Sequence, residues 1–244
     1  MPTPEEKLEV AIAVKNYHTV AMSICAKLEA AGTTGDTLQT IIAIQNRMIH
    51  AVDAVQLLDR LEDSRSDQAL LLRGMYDLHI QTLFLLSDPA TNVPDYLDFM
   101  RVEQFEWGEL LTSSKTVLAK NIMAQSAIGQ AISDRTADYN AVKHRFLTNS
   151  GKKCRPHWYK GTLADLADKV NRREEYDIMQ KILSQVVHSS SIAMTRPLMI
   201  PDMAFIHDAW IVTLRVLGAM AACLKITLDA RESAMVKSVN GSIF

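Results

Sequence analysis

Arg73, Asp77 and Gln81 recur at i, i+4 and i+8 inside an otherwise apolar stretch, so on a helix they form one polar stripe. Their neighbours are Leu70, Leu71, Leu72, Met75, Tyr76, Leu78, Ile80, Leu83, Phe84, Leu85 and Leu86. A helix apolar on nearly all sides belongs at the centre of a bundle. A polar stripe there must be hydrogen-bonded or line a cavity, because unpaired buried charge is costly. A second stripe is formed by Asp177, Lys181, Ser184 and His188, with Met179, Ile182, Leu183 and Val186 on the other face and Tyr176 and Val187 beside them. His188 falls at a helix C-terminus, where the dipole favours imidazolium. Ser189, Ser190 and Ser191 add three hydroxyls directly after it. An imidazole can move protons, and a guanidinium can stabilise negative charge developing on phosphate. The expectation is that Arg73, Asp77, Tyr176, Ser184 and His188 converge on one cationic pocket for a phosphate or carboxylate. Arg73 and His188 are its catalytic candidates. The bland alternative makes Arg73 and Asp77 an exposed intrahelical pair, worth roughly a few tenths of a kcal/mol, and makes His188 a cap for its own helix.

A third feature is local charge. No Asp or Glu occurs from Tyr139 to Ala164, while Lys143, Arg145, Lys152, Lys153, Arg155 and Lys160 do, with His144 and His157. Tyr139, Phe146, Trp158 and Tyr159 are interleaved with them. Basic residues among aromatics can hold phosphates and stack bases. They equally fit a surface loop whose Trp158 packs inward while its lysines stay in water. Arg155, His157 and Trp158 lead into a cap at Thr162 and are placed at the rim of the pocket as ligand-binding candidates.

Sharper motifs are excluded. NSGKKC around Gly151 lacks the first glycine and the preceding strand of a phosphate-binding loop. His50 and Asp53 share a helix face, but no further ligands accompany them. The three cysteines, Cys25, Cys154 and Cys223, have no metal-ligand spacing. No metal and no cofactor is therefore expected.

Two stretches resemble one family. Leu70 to Asp88 reads LLLRGMYDLHIQTLFLLSD and Tyr176 to Ser190 reads YDIMQKILSQVVHSS. An apolar helix opening on Arg with an acid four residues later, then a Tyr…Ser…His helix ending in small polar residues, resembles the bacterial all-helical proteins grouped as domain-of-unknown-function family 5677. The resemblance implies that the family's recurring polar residues are Arg73, Tyr176, Ser184 and His188 here. Asp77 stands where the family is expected to have Glu, and the shorter acid changes reach. The chain also resembles HEPN (higher eukaryotes and prokaryotes nucleotide-binding) bundles, which often act as metal-independent ribonucleases. Their Arg, four to six residues, His motif is met in count by Arg73 and His79. A six-residue offset, however, places those side chains about 120° apart on a regular helix.

Two functions follow as expectations. The first is a binding or regulatory module with a cationic polar pocket for an anionic ligand. The alternative is a HEPN-like ribonuclease in a defence or stress system. The partners expected are an anionic small molecule or RNA, with a homodimer compatible and no membrane. An odd number of separated cysteines reads as reduced thiols in a cytoplasmic protein, and MPTPEEKLEV does not read as a secretory signal.

The elements that must position these residues are helices. The chain has 244 residues, 48% hydrophobic and 22% charged, with net charge −2, which suits a globular core and gives no bulk attraction for polyanions. Helical periodicity runs through most of it, without alternating β-branched runs. It predicts a first helix from Pro4 to Ala31 and a second from Asp36, an N-cap with Gln39 three residues on, to Asp63. A third spans Ser66 to Ser87. A short helix follows Pro94, and a long one spans Ser114 to Leu147. Asn149 to Gly161 is a loop, Thr162 caps a small helix, and Arg173 to His188 forms another. Ser189 to Pro201 is a loop, the last helix covers Asp202 to Ala230, and Glu232 to Phe244 is a flexible tail. Ala209 to Leu224 is nearly all apolar, but Arg215 lies in its middle, which favours a buried core helix over a membrane span. The fold class predicted is all-α: one domain of seven to nine helices, with the hairpin 4–63 packed on the remainder and no sheet.

Overall fold

The computed structural model describes residues 3–31, 35–61, 64–124, 135–187 and 204–241. Among them are ten α-helices: α1 (Pro4–Ala30), α2 (Asp36–Leu58), α3 (Arg65–Ser87), α4 (Pro89–Ser113), α5 (Val117–Met123), α6 (Thr136–Val142), α7 (Leu163–Lys169), α8 (Arg173–Val187), α9 (Ala204–Cys223) and α10 (Ala230–Gly241). A 3₁₀ turn, Lys143–Arg145, follows α6. The described residues contain no strand, only an isolated antiparallel bridge between Leu147 and Cys154. The protein is all-α.

Two compact units emerge: residues 1–89 with 162–244, and residues 90–161. The first is built around α9, which packs on α1, α2, α3 and α10. Its core-facing side chains include Trp210, Leu214, Leu217 and Met220, all fully buried. They meet Ile24 and Leu28 of α1, Met48 and Val52 of α2, and Leu72 and Met75 of α3 in one apolar cluster. The span Phe205–Cys223 is apolar and long enough to cross a membrane by composition, but 78% of its window is buried inside this unit. Small residues let the α9 backbone come close to α10. A Cβ at Gly218 would lie 2.5 Å from Val236 Cγ1.

Helix α3 is the second central element and packs against α2, α7, α8 and α9. It buries Leu72, Met75, Tyr76, His79, Ile80 and Leu85. Leu71, Leu78 and Leu86 are half-buried, and Leu70 is exposed. The stripe-bearing face thus lies between the core and the solvent rather than at the centre.

Residues expected to form a flexible tail form α10 instead. Asp229 and Glu232 cap it reciprocally: the Glu232 N–H donates to Asp229 Oδ1 at 2.9 Å, and the Asp229 N–H donates to Glu232 Oε2 at 2.7 Å. Ser23 Oγ also donates to Glu232 Oε1 at 2.7 Å, and Lys27 pairs with the same carboxylate, tying α10 to α1. Burial works to raise the Glu232 carboxyl, but these hydrogen bonds outweigh it and hold it below the usual range.

The short helix expected after Pro94 instead starts at Pro89 and runs to Ser113. Pro89 begins α4, and Pro94 sits inside it. Pro89 suits the first helical position, where its missing N–H has no role within the helix, whereas Pro94 lies past the first turn and has no N–H to give the carbonyl four residues back. The long helix expected from Ser114 to Leu147 is represented by α5 and α6, and residues 125–134 between them lie outside the described residues.

Candidate functional site

Two polar clusters flank α3, both within the first unit. The first is a seam against α8. Arg73, Asp77 and Gln81 are each half-buried on α3, as are Tyr176, Gln180 and Ser184 on α8. Gln180 Nε2 donates to Asp77 Oδ1 at 2.6 Å, and Ser184 Oγ donates to Gln180 Oε1 at 3.4 Å. Burial pushes the Asp77 carboxyl up, while Arg73 and the Gln180 hydrogen bond pull against that rise. Burial raises the Tyr176 phenol too, with Asp77 adding to the shift and Arg73 opposing it. Arg73, Asp77 and Tyr176 therefore share one electrostatic neighbourhood. The seam combines a guanidinium, a phenol and a hydroxyl as donors with a carboxylate and an amide oxygen as acceptors. Such a set can orient an anionic group.

The orientation of α8 explains which residues join the seam. Glu175, Met179 and Leu183 are buried, and Asp177 and Lys181 are exposed. Asp177 is bound at the surface by Arg173 Nε, 2.7 Å away. The inner stripe is thus Tyr176, Gln180 and Ser184, with the same spacing as the stripe on α3. Gln180 was missed by sequence reasoning. Its spacing from Tyr176 and Ser184 was the available signal. His188 and Ser189–Ser191 lie outside the described residues.

The second cluster is deeper. Arg215 of α9 is 2% exposed and its guanidinium pairs with Glu175 of α8. Its Nε donates to the Val239 carbonyl at 2.7 Å. Arg172 reaches the other Glu175 oxygen at 3.4 Å and donates to Asn240 Oδ1 at 3.1 Å. The acid that pairs with Arg215 is Glu175 of α8. Nothing in its local pattern marked Glu175, because an acid in the first turn of a helix is ordinarily a surface residue.

His79 faces this second cluster. It is fully buried, and neither ring nitrogen has a hydrogen-bond partner among the described residues. Burial, with Arg215 and Arg172 adding to it, lowers its imidazole to about 3. A neutral, sealed imidazole cannot exchange protons with a substrate in solvent, so the Arg73 and His79 pair does not form a working acid–base site. Cys25 is no nucleophile either: burial, with Glu29, pushes its thiol up to about 12.

In the second unit, Arg155 is spent on its own loop. Its guanidinium donates to the carbonyls of His157, Arg145 and Trp158, and it stacks over Phe146 at 4.9 Å. Trp158 is buried against Tyr96 and Tyr159. His157 is exposed and stacks on Tyr159. Arg155 and Trp158 thus hold this unit together, and His157 remains on its surface. His50 and Asp53 are exposed on α2, and no group of three or more metal-ligating His, Cys, Asp or Glu occurs among the described residues.

A family model described as a family of unknown function (DUF5677) matches residues 40–203. That span contains both stripes of the seam and ends before α9. No curated protein and no solved structure matches.

Proposed function

The chain belongs to this family of unknown function, and we propose that it is a cytoplasmic binding or regulatory module whose α3–α8 seam takes an anionic group, a phosphate or a carboxylate. The carrying observation is the Gln180 bridge to Asp77 at 2.6 Å, which joins two polar stripes that both remain half-buried. A polar array needed only for packing is best sealed, as the Arg215 cluster is. This one keeps access to solvent. Arg73 supplies the charge, Tyr176 a hydroxyl donor, and Asp77 with Gln180 and Ser184 sets the orientation.

The test is calorimetric titration of the protein with inorganic phosphate, pyrophosphate and adenine nucleotides, beside incubation with single-stranded RNA. The expected result is saturable binding that falls about tenfold or more in Arg73→Ala, consistent with loss of a charge-assisted contact, with the RNA left intact. Unchanged binding in Arg73→Ala would refute the seam as the site. RNA cleavage abolished by Arg73→Ala would establish the ribonuclease alternative instead, with His188 the first residue to replace next.

A further inference from the structure

We propose that residues 146–160 of the second unit form a contact surface for single-stranded RNA, distinct from the seam. The loop is a built object. Phe146 and Arg155 are joined by the Arg155 N–H donating to the Phe146 carbonyl at 2.7 Å, and Thr148 and Lys153 by the Thr148 N–H donating to the Lys153 carbonyl at 2.9 Å. Gly151 turns the chain between them with φ +67°, a conformation that L side chains rarely adopt. Arg145 pairs with both Asp95 and Asp98 of α4, fixing the base of the loop. Arg155 ties its far end to three carbonyls. Arg145, just before the segment, and Arg155 within it are thereby engaged in holding its shape.

What the braces hold outward is charge without counter-charge. Lys152, Lys153 and Lys160 are exposed, the loop itself carries no acid, and none of the three forms an ion pair among the described residues. Adjacent like charges such as Lys152 and Lys153 repel, and an anionic partner relieves that cost. In the same loop, three residues before Lys160, His157 is exposed, its ring lying 5.0 Å from that of Tyr159 at an interplanar angle of 12°. Glu103 of α4 lies within electrostatic reach of this imidazole. A flat ring backed by a buried phenol, in one loop with three exposed lysines, suits a nucleotide chain: the lysines meet phosphates and the imidazole stacks a base. Stacking requires an unpaired base, which selects a single strand. An acidic protein would use the lysines but not the ring.

The experiment uses the full chain and a fluorescein-labelled oligouridine, read by anisotropy over a series of salt concentrations. Three lysine contacts predict a slope of log K against log salt of about −2 for a single strand. Replacing Lys152, Lys153 and Lys160 together by Gln is expected to weaken binding on the order of tenfold or more. His157→Ala is expected to weaken it about tenfold with the salt slope unchanged. Circular dichroism melts of both variants, expected to match wild type, guard against loss of fold. The triple lysine variant is expected to keep the wild-type response to inorganic phosphate at the seam, so this surface and the seam stand or fall separately. No binding by wild type, or wild-type affinity in the triple variant, would overturn the proposal. So would polyglutamate competing as well as unlabelled oligouridine, which would mark the loop as a surface for acidic proteins.

Discussion

The two polar clusters flanking α3 contain the same kinds of residue but differ in closure. The Arg215 cluster is sealed: its guanidinium meets a carboxylate and a backbone carbonyl, and both charged partners are buried. The Arg73 seam is half-open, and its carboxylate is bridged to the other helix by a neutral amide. A closed charge pair joins helices α8, α9 and α10 and leaves nothing for a ligand. An open one tolerates exchange of its contacts. Closure, more than residue type, separates a structural charge from one available for recognition.

The contrast is broken most severely at Arg215. Arg215→Ala leaves Glu175 buried with its main partner gone, and is expected to cost about 3–5 kcal/mol, measured by urea unfolding. A loss below about 1 kcal/mol would mean that the cluster is not the tie it resembles. Gly218→Ala tests the same region from the backbone side. The added methyl meets Val236, a stiff β-branched side chain, and separates α9 from α10 near the Val239 carbonyl that Arg215 uses. A loss of about 1–3 kcal/mol is expected, and wild-type stability would show that the two helices have room to part.

His79 sharpens the comparison through pH. Its imidazole is held near 3 in the fold against an ordinary 6.5. Between those values the unfolded chain takes up a proton that the native state refuses, so stability is complete above 6.5 and falls as pH drops towards 3. The slope contributed approaches about 1.4 kcal/mol per pH unit. His79→Leu is expected to flatten that part of the stability profile. An identical slope in the variant would place the acid sensitivity elsewhere, for instance at Glu232, whose lowered carboxyl sheds its stabilisation only below the normal Glu range.

The all-α class and helix starts such as Pro4, Asp36 and Arg173 were legible because periodicity and caps are local, while α2 and α9 end before the expected Asp63 and Ala230. Thr162, for example, caps α7 as expected. The stripe on α3 was legible for the same reason. The rotation of α8 was not, because Asp177 and Gln180 are equally polar and only packing of Met179 and Leu183 decides which turns inward. Glu175 and Arg215 were unreadable as a pair, since their contact joins residues 40 apart in sequence. Arg155 looked like a ligand residue by type, yet its three bonds to carbonyls come from a loop conformation that sequence does not print. Helix α10 is short and weakly periodic, and the ties from Glu232 to α1 that hold it are long-range.

Arg73→Ala carries the smallest expected effect on stability and the largest on binding, and measuring both on one protein tests the central claim most directly. The seam account predicts an unfolding free energy within about 1 kcal/mol of wild type, because Asp77 keeps its Gln180 hydrogen bond, together with loss of phosphate binding. A destabilisation of about 3 kcal/mol or more with phosphate binding unchanged would contradict it, and would make the seam a second structural charge cluster like that of Arg215.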